Sequence, residues 1–149
     1  MAGNAPLELE KFLPYRLSVL SNTVSQAIAR EYETRFQLSI TEWRVVAVLG
    51  RYDGLSAREV AERTAMDKVA VSRAVAELMK DGRVKRSTAD HDKRQSVLCL
   101  TAKGRKVYAD IAPLALEHER RLLAHLDSEE QQWLGRIIDK LLQAEKALA

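Results

Sequence analysis

The sequence predicts a mainly α-helical fold, with long helices at both ends and one β-hairpin towards the middle. Three observations carry this expectation. Apolar residues recur at steps of three and four through both end stretches, two complete helix-start signatures stand close together, and short β-compatible segments take over after Gly82. A length of 149 residues bounds the chain to one domain-sized unit and argues against a multidomain enzyme. Hydrophobic residues make up 46% and aromatics 5%, enough aliphatic surface to build a core.

The first helix is traced by Leu13, Leu17, Leu20, Val24, Ile28, Tyr32 and Phe36, a single stripe, with Pro14 marking a bend or a first turn. A second helix is expected after Thr41 as its cap, with Ile40 and Val45 as a hydrophobic staple and Glu42 in the first turn. Its apolar residues, Trp43, Val45, Val46, Val48 and Leu49, run nearly all round, so it should be buried. Asp53-Gly54 ends the pattern. Ser56 with Glu59 then forms a capping box bracketed by Leu55 and Val60, giving a short helix from about Ala57 to Arg63. Asp67 caps the next helix, bracketed by Met66 and Val71, and that helix closes near Asp81-Gly82. The segments Arg83–Thr88 and Gln95–Leu100 read as hairpin strands joined by a polar tip, Ala89 to Arg94. A short helix, a tight link, a longer helix and a hairpin is the order of a winged helix-turn-helix. Thr101 caps a fifth helix with the stripe Val107, Ile111, Leu114, His118, Leu122 and Leu126, bent at Pro113. Asp127 with Glu130 opens a last helix carrying Leu134, Ile138 and Leu141 on one line and Trp133, Ile137 and Ala144 on the adjacent one.

The charge is small overall, 24 basic against 21 acidic residues, but it is not evenly placed. Between Ser56 and Arg94 stand ten basic residues (Arg58, Arg63, Lys68, Arg73, Lys80, Arg83, Lys85, Arg86, Lys93, Arg94) and seven acidic ones (Glu59, Glu62, Asp67, Glu77, Asp81, Asp90, Asp92), which is the whole excess of three. The middle suits a polyanion; a solvated basic surface is the equal alternative on charge alone. The helix after Asp67 sharpens the choice. Val71, Ala74, Val75 and Leu78 share its inner face, while Val69, Ser72, Arg73, Ala76 and Lys80 lie opposite, with Ala70 and Glu77 at the edge. Short uncharged side chains in the first two turns allow close approach to a double-stranded DNA major groove. There Val69 and Ala70 can meet thymine methyl groups, Ser72 a phosphate or base edge, and Arg73 a guanine or the backbone. Ser56, Lys68, Arg86, His91 and Lys93 flank them as further contact candidates. Arg94 at the hairpin tip is placed for the adjacent minor groove, with Asp90 or Asp92 expected to pair with Arg94, Arg73 or Arg86. A packed protein interface would also favour small apolar residues here and stays open as the alternative.

The stretch Asp92-Lys93-Arg94-Gln95-Ser96-Val97-Leu98-Cys99-Leu100-Thr101-Ala102-Lys103-Gly104 resembles the wing and following helix start of the MarR family of winged-helix regulators. Thr41-Glu42-Trp43-Arg44-Val45, Asp67-Lys68-Val69-Ala70-Val71-Ser72-Arg73 and Leu126-Asp127-Ser128-Glu129-Glu130 match the same family, so the resemblance covers almost the whole chain. It implies a homodimer whose end helices interlock and whose two winged regions straddle a pseudo-palindromic operator. On that basis residues 1–37 form an N-terminal dimerisation helix, 38–104 the DNA-binding region and 105–149 C-terminal dimerisation helices, in one intertwined unit. Leu7, Phe12, Leu13, Leu116, Leu122, Leu126, Trp133, Ile137 and Leu141 are assigned to the dimer contact, with monomer core as the alternative for each. The resemblance also implies a repressor released by a small aromatic or anionic effector, in a pocket to which Arg16, Trp43 and His118 are candidate contributors. Core packing for Trp43, and a surface or dimer ion pair for Arg16, are the plainer readings.

Other classes find little support. There is no phosphate loop, no nucleophilic triad or dyad and no metalloprotease motif, so an enzyme is not expected. No cofactor is expected either. Cys99, the single cysteine, lies in the returning hairpin strand away from any obvious cationic activator, and His118 with His125 lack further ligands for a metal. Residues Met1–Phe12 show neither a basic nor an apolar leader region, and the longest apolar run, Val45 to Leu49, is far short of the roughly 20 residues of a bilayer span. A cytoplasmic protein without membrane contact is the expectation.

Overall fold

The computed structural model describes the backbone of residues 3–89 and 92–149 and the side chains of 3–88 and 96–149. Among these, six α-helices and one hairpin follow in the order α1 (Leu13–Phe36), α2 (Ile40–Arg51), α3 (Ala57–Thr64), α4 (Lys68–Lys80), β1 (Val84–Ala89), β2 (Asp92–Leu100), α5 (Ala102–Leu123) and α6 (Ser128–Leu148). A 3₁₀ turn, Leu9–Lys11, precedes them. The chain is mainly α with a winged helix-turn-helix at its centre, as the residue pattern predicts. No described helix is long and apolar enough to cross a membrane. Two compact units are present, Met1–Leu114 and Ala115–Ala149.

Four of the five helix starts use the residues expected of them. Ser56 Oγ accepts from Glu59 N at 3.1 Å while Glu59 Oε1 accepts from Ser56 N at 3.2 Å, which satisfies two otherwise orphaned amides of α3. Asp67 accepts from Ala70 N at the head of α4, and Thr101 Oγ1 from Gly104 N at the head of α5. Asp127 and Glu130 form the reciprocal box that opens α6. The exception is α2. It starts at Ile40 under Ser39, whose hydroxyl accepts from Glu42 N at 3.1 Å, not under Thr41. The staple of Ile40 with Val45 falls with that cap, and Leu38 and Trp43 occupy the flanking positions instead. The spacing Ser39-x-x-Glu42 carried the signal.

The core of the first unit gathers the second half of α1, then α2, α3, α4, the hairpin base and the first turns of α5. Tyr32, Leu38, Val45, Val46, Leu49, Val60, Leu78, Leu98 and Ile111 are at most 2% exposed. The stripe on α1 divides: Leu13, Leu17 and Leu20 are exposed, Val24, Ile28 and Phe36 half-buried, and Tyr32 buried. Burial pushes the Tyr32 phenol up to about 12, with Glu33 adding to the rise and Arg44 opposing it. The link from α3 to α4 turns through Ala65, held left-handed at φ 52°.

Strand β1 pairs antiparallel with β2 from Val84↔Leu100 to Thr88↔Ser96, with an irregularity after Thr88. The strands extend to Ala89 and Asp92, beyond the expected tip boundaries, because a ladder is made by backbone groups and admits polar side chains. Leu55 adds a one-residue bridge to Leu98, with N to O distances of 3.2 and 2.7 Å. A single bridging residue has no period, so no pattern of neighbours announces it.

In the second unit α5 stops at Leu123, so Leu126 lies in the link and not on the α5 stripe. Gln131 Nε2 donates to the carbonyls of Leu123 and Leu126, which ends the helix there. His125 Nδ1 lies 3.1 Å from Arg121 O and 3.3 Å from Leu122 O, in contact with the last turn of α5. Hydrogen bonds from Arg120, reinforced by Arg121, hold the Glu117 carboxyl down to about 2. On α6, Trp133, Leu134, Ile137, Ile138, Leu141 and Leu142 are all 40–57% exposed.

Candidate nucleic-acid interface

The face of α4 that periodicity assigns to the core is the buried one. Val71, Ala74, Val75 and Leu78 are at most 5% exposed, whereas Lys68, Val69, Ser72, Arg73, Ala76 and Lys80 are exposed and Ala70 is half-buried. Val69, at 56% exposed, is an aliphatic side chain that the fold leaves in water at the head of a helix. Ser56 stands half-buried at the head of α3, where its oxygen accepts the cap bond and its hydroxyl proton remains to donate.

Two concavities flank α4. The larger, about 660 Å³, lies between α3, α4 and β1 and is lined by Arg58, Lys68, Ser72, Val75, Met79 and Arg86 among others. Arg86 is paired across the hairpin with Leu98, so it shares the core-side face of the ladder, and its stem runs to this concavity. Its Nη1 donates to Ser96 Oγ at 3.4 Å. Arg58, which the sequence reading counted as charge but did not place in the site, is held by Glu62 at 3.1 Å and brings a third guanidinium or ammonium to the same rim. Its position in the first turn of α3, next to the Ser56 cap, was the available signal. The smaller concavity, about 280 Å³, sets Ala70 and Arg73 beside Ser39, Thr41 and Glu42 at the start of α2. Among the described residues neither Lys68 nor Arg73 is in an ion pair.

His91 lies outside the described residues, as do the side chains of Lys93 and Arg94; the expected pairing of Asp90 or Asp92 with an arginine lies outside them too. The effector candidates lie on α1, α2 and α5. Arg16 lines a surface hollow on α1 with Glu10, Tyr15, Val19, Leu20 and Thr23. Trp43 is half-buried between aromatic rings, 5.9 Å from Tyr32 and 6.2 Å from Tyr108 by centroid, and packs against the core. His118 is half-buried on α5 in the second unit. Of the dimer candidates, Leu7, Phe12, Leu13, Leu116, Leu122, Trp133, Ile137 and Leu141 are 41–64% exposed, and Leu126 is half-buried. Leu17, Leu20, Leu134, Ile138 and Leu142 are exposed in the same way and were not assigned.

Comparison with known proteins places this architecture. A sequence model of the MarR family matches residues 36–95. The HTH-type transcriptional regulator BilQ of Clostridium symbiosum is 32% identical over 102 residues, 68% of this chain and 71% of that one. The HTH-type transcriptional repressor Rv2887 of Mycobacterium tuberculosis is 28% identical over 142 residues, covering 95% and 96%. A crystal structure of a MarR/EmrR family transcriptional regulator from Acinetobacter sp. ADP1 superposes with a TM-score of 0.85 at 25% identity, covering 95% of this chain and 99% of that one. NadR, solved in complex with 4-hydroxyphenylacetate, shares the fold at a TM-score of 0.73 and 21% identity, covering 88% and 96%. Matched residues, covered length and winged architecture agree: the chain belongs to the MarR family, whose members are DNA-binding transcriptional regulators and not enzymes.

Proposed function

We propose that the protein is a cytoplasmic repressor that occupies a pseudo-palindromic operator as a homodimer and leaves it when a small aromatic or anionic effector binds. The observation that carries this reading is the outer face of α4, where Val69, Ser72 and Arg73 stand exposed on a helix whose opposite face is locked into the core. In a major groove Val69 and Ala70 meet thymine methyls, Ser72 and Arg73 read base edges or phosphate, and Ser56, Lys68 and Arg86 hold the flanking backbone. The hairpin, with His91, Lys93 and Arg94, lies along the adjacent minor groove. Two such helices should sit about 34 Å apart, one DNA turn. Exposed leucines on α1 and the apolar face of α6 support a second copy as the dimer partner. NadR with its aromatic acid supports an effector of that class, and the Tyr32, Trp43 and Tyr108 rings supply aromatic surface. A hundredfold release needs only about 2.7 kcal/mol of ligand preference for the non-binding geometry.

The test is fluorescence anisotropy of the purified protein on the intergenic duplex upstream of its own gene, at 50 and 200 mM salt. Binding should weaken steeply between them, by roughly 10³ or more if six or more phosphates are neutralised. Indifference to every duplex at low salt would sink the reading. Protein capture that ignores salt would move the function to a protein-interaction module. Aromatic acids are then screened for release.

A further inference from the structure

Arg83 is the one buried charged residue among those described, 8% exposed. Its guanidinium Nη2 donates to the carbonyl of Phe36, the last residue of α1, while Nε and Nη1 have no hydrogen-bond partner among the described residues. The main chain of the same residue is equally committed. Arg83 N donates to Leu78 O at 2.8 Å, closing α4, and Arg83 O accepts from Thr101 N at 3.0 Å, at the start of α5. Around it Thr101 Oγ1 donates to Gly82 O at 2.6 Å and Lys103 Nζ to Asp81 O at 2.8 Å. Gly104 allows the approach, since a Cβ there would lie 2.1 Å from Arg83 O. One three-residue turn, Asp81 to Arg83, thus joins the end of the recognition helix, the start of the hairpin, the start of α5 and, through a single side chain, the end of α1.

A buried guanidinium with two unpartnered nitrogens is a poor device for stability, because an apolar side chain of similar length would fill the space without the desolvation cost. What an apolar side chain cannot supply is a charge-assisted bond to the negative end of α1. We propose that Arg83 is a positioning residue for operator recognition: its bond to Phe36 fixes α4 and the hairpin against α1, and so sets how strictly the dimer measures the separation of two half-sites. This rests on the dimeric operator reading above, with α1 as a dimer helix. In that arrangement any looseness between α1 and α4 is looseness in the spacing of the two recognition helices.

The experiment compares wild type, Arg83→Met and Arg83→Lys on the operator and on versions with one base pair inserted or deleted between half-sites, together with the melting temperature of each protein. Wild type should lose about tenfold or more in affinity on the altered spacings, a displacement no single rigid dimer accommodates. Arg83→Met should melt at or above wild type, yet lose less than about threefold on the same duplexes, its discrimination between spacings flattened. Arg83→Lys, which retains one charged donor, should fall between. A purely structural role would lower the melting temperature and weaken all duplexes alike, and that result overturns the proposal. So does an Arg83→Met protein with the wild-type spacing profile. A wild type that is itself indifferent to spacing overturns the dimeric operator reading, and this proposal with it.

Discussion

Helices α4 and α6 are written in the same code and meet opposite fates. Each carries apolar residues at steps of three and four, and each is opened by an aspartate cap. On α4 the apolar face is sealed, with Leu78 at 0% exposure; on α6 Trp133 and Ile137 remain 52% and 49% exposed. Periodicity states that a face must be covered and is silent about what covers it. For α4 the cover is the chain itself, through α2, α3 and the hairpin. For α6 the apolar side chains stay exposed, and contiguous apolar surface is what the proposed dimer contact needs. On the proposed dimeric reading, the first unit packs on itself and the second offers its face to a second copy.

The sharpest way to break the contrast is to charge each face. Ile137→Glu combined with Leu141→Glu should convert a dimer to monomer in sedimentation while the first unit stays folded by circular dichroism. Operator affinity should then fall more than about a hundredfold, because the second half-site no longer binds as part of the same particle. Persistence of the dimer would show that α6 is not its seat. Within the first unit the comparable insult is internal. Gly104→Ala drives a methyl against the Arg83 carbonyl, a backbone atom that cannot swing aside, and should lower unfolding free energy in urea by about 2–3 kcal/mol. A loss below about 1 kcal/mol would mean that the junction yields.

The same contrast explains what could be read beforehand. Helix caps at Ser56, Asp67, Thr101 and Asp127 were legible because a cap is a local bond between residues three apart, and the inner face of α4 was legible because burial there obeys helical period. The start of α2 was misplaced by two residues, since Ser39 and Thr41 both offer a hydroxyl and only the three-dimensional path selects one. The Leu55 bridge and the Arg83 bond to Phe36 join residues 43 and 47 positions apart, and no pattern of neighbours encodes such a meeting. Arg16, Trp43 and His118 were grouped by family likeness alone. Trp43 packs in an aromatic stack against the core, as the plainer of its two readings has it.

On the outer face of α4 the expected effects are smaller and divide by role. Ser72→Ala and Arg73→Ala should each cost about 1–2 kcal/mol on the operator and much less on random duplex, lowering discrimination, if they reach base edges. Arg94→Ala should weaken operator and random DNA alike and reduce the salt slope by about one. Competition anisotropy with both duplexes at two salt concentrations separates the outcomes. Equal losses from all three variants would abolish the division between a reading helix and an anchoring hairpin.

The smallest effect is a reversal of sign between the two regions. Ala65 holds the helix-turn-helix link at φ 52°, where an L-residue with a Cβ is strained by about 1–2 kcal/mol. Glycine removes that strain and adds back about 0.5–1 kcal/mol of unfolded-state entropy, so Ala65→Gly should stabilise by about 0.5–1 kcal/mol. Ala144 sits inside α6, where the backbone is helical and exposed and no strain awaits relief. There the same replacement should destabilise by about 1 kcal/mol, the ordinary helix-interior penalty of glycine. Urea unfolding of both variants at one protein concentration reads the two signs directly. If Ala65→Gly also destabilises, the turn is held by more than its backbone angle, and the first unit owes less to local geometry than the packing of α4 implies.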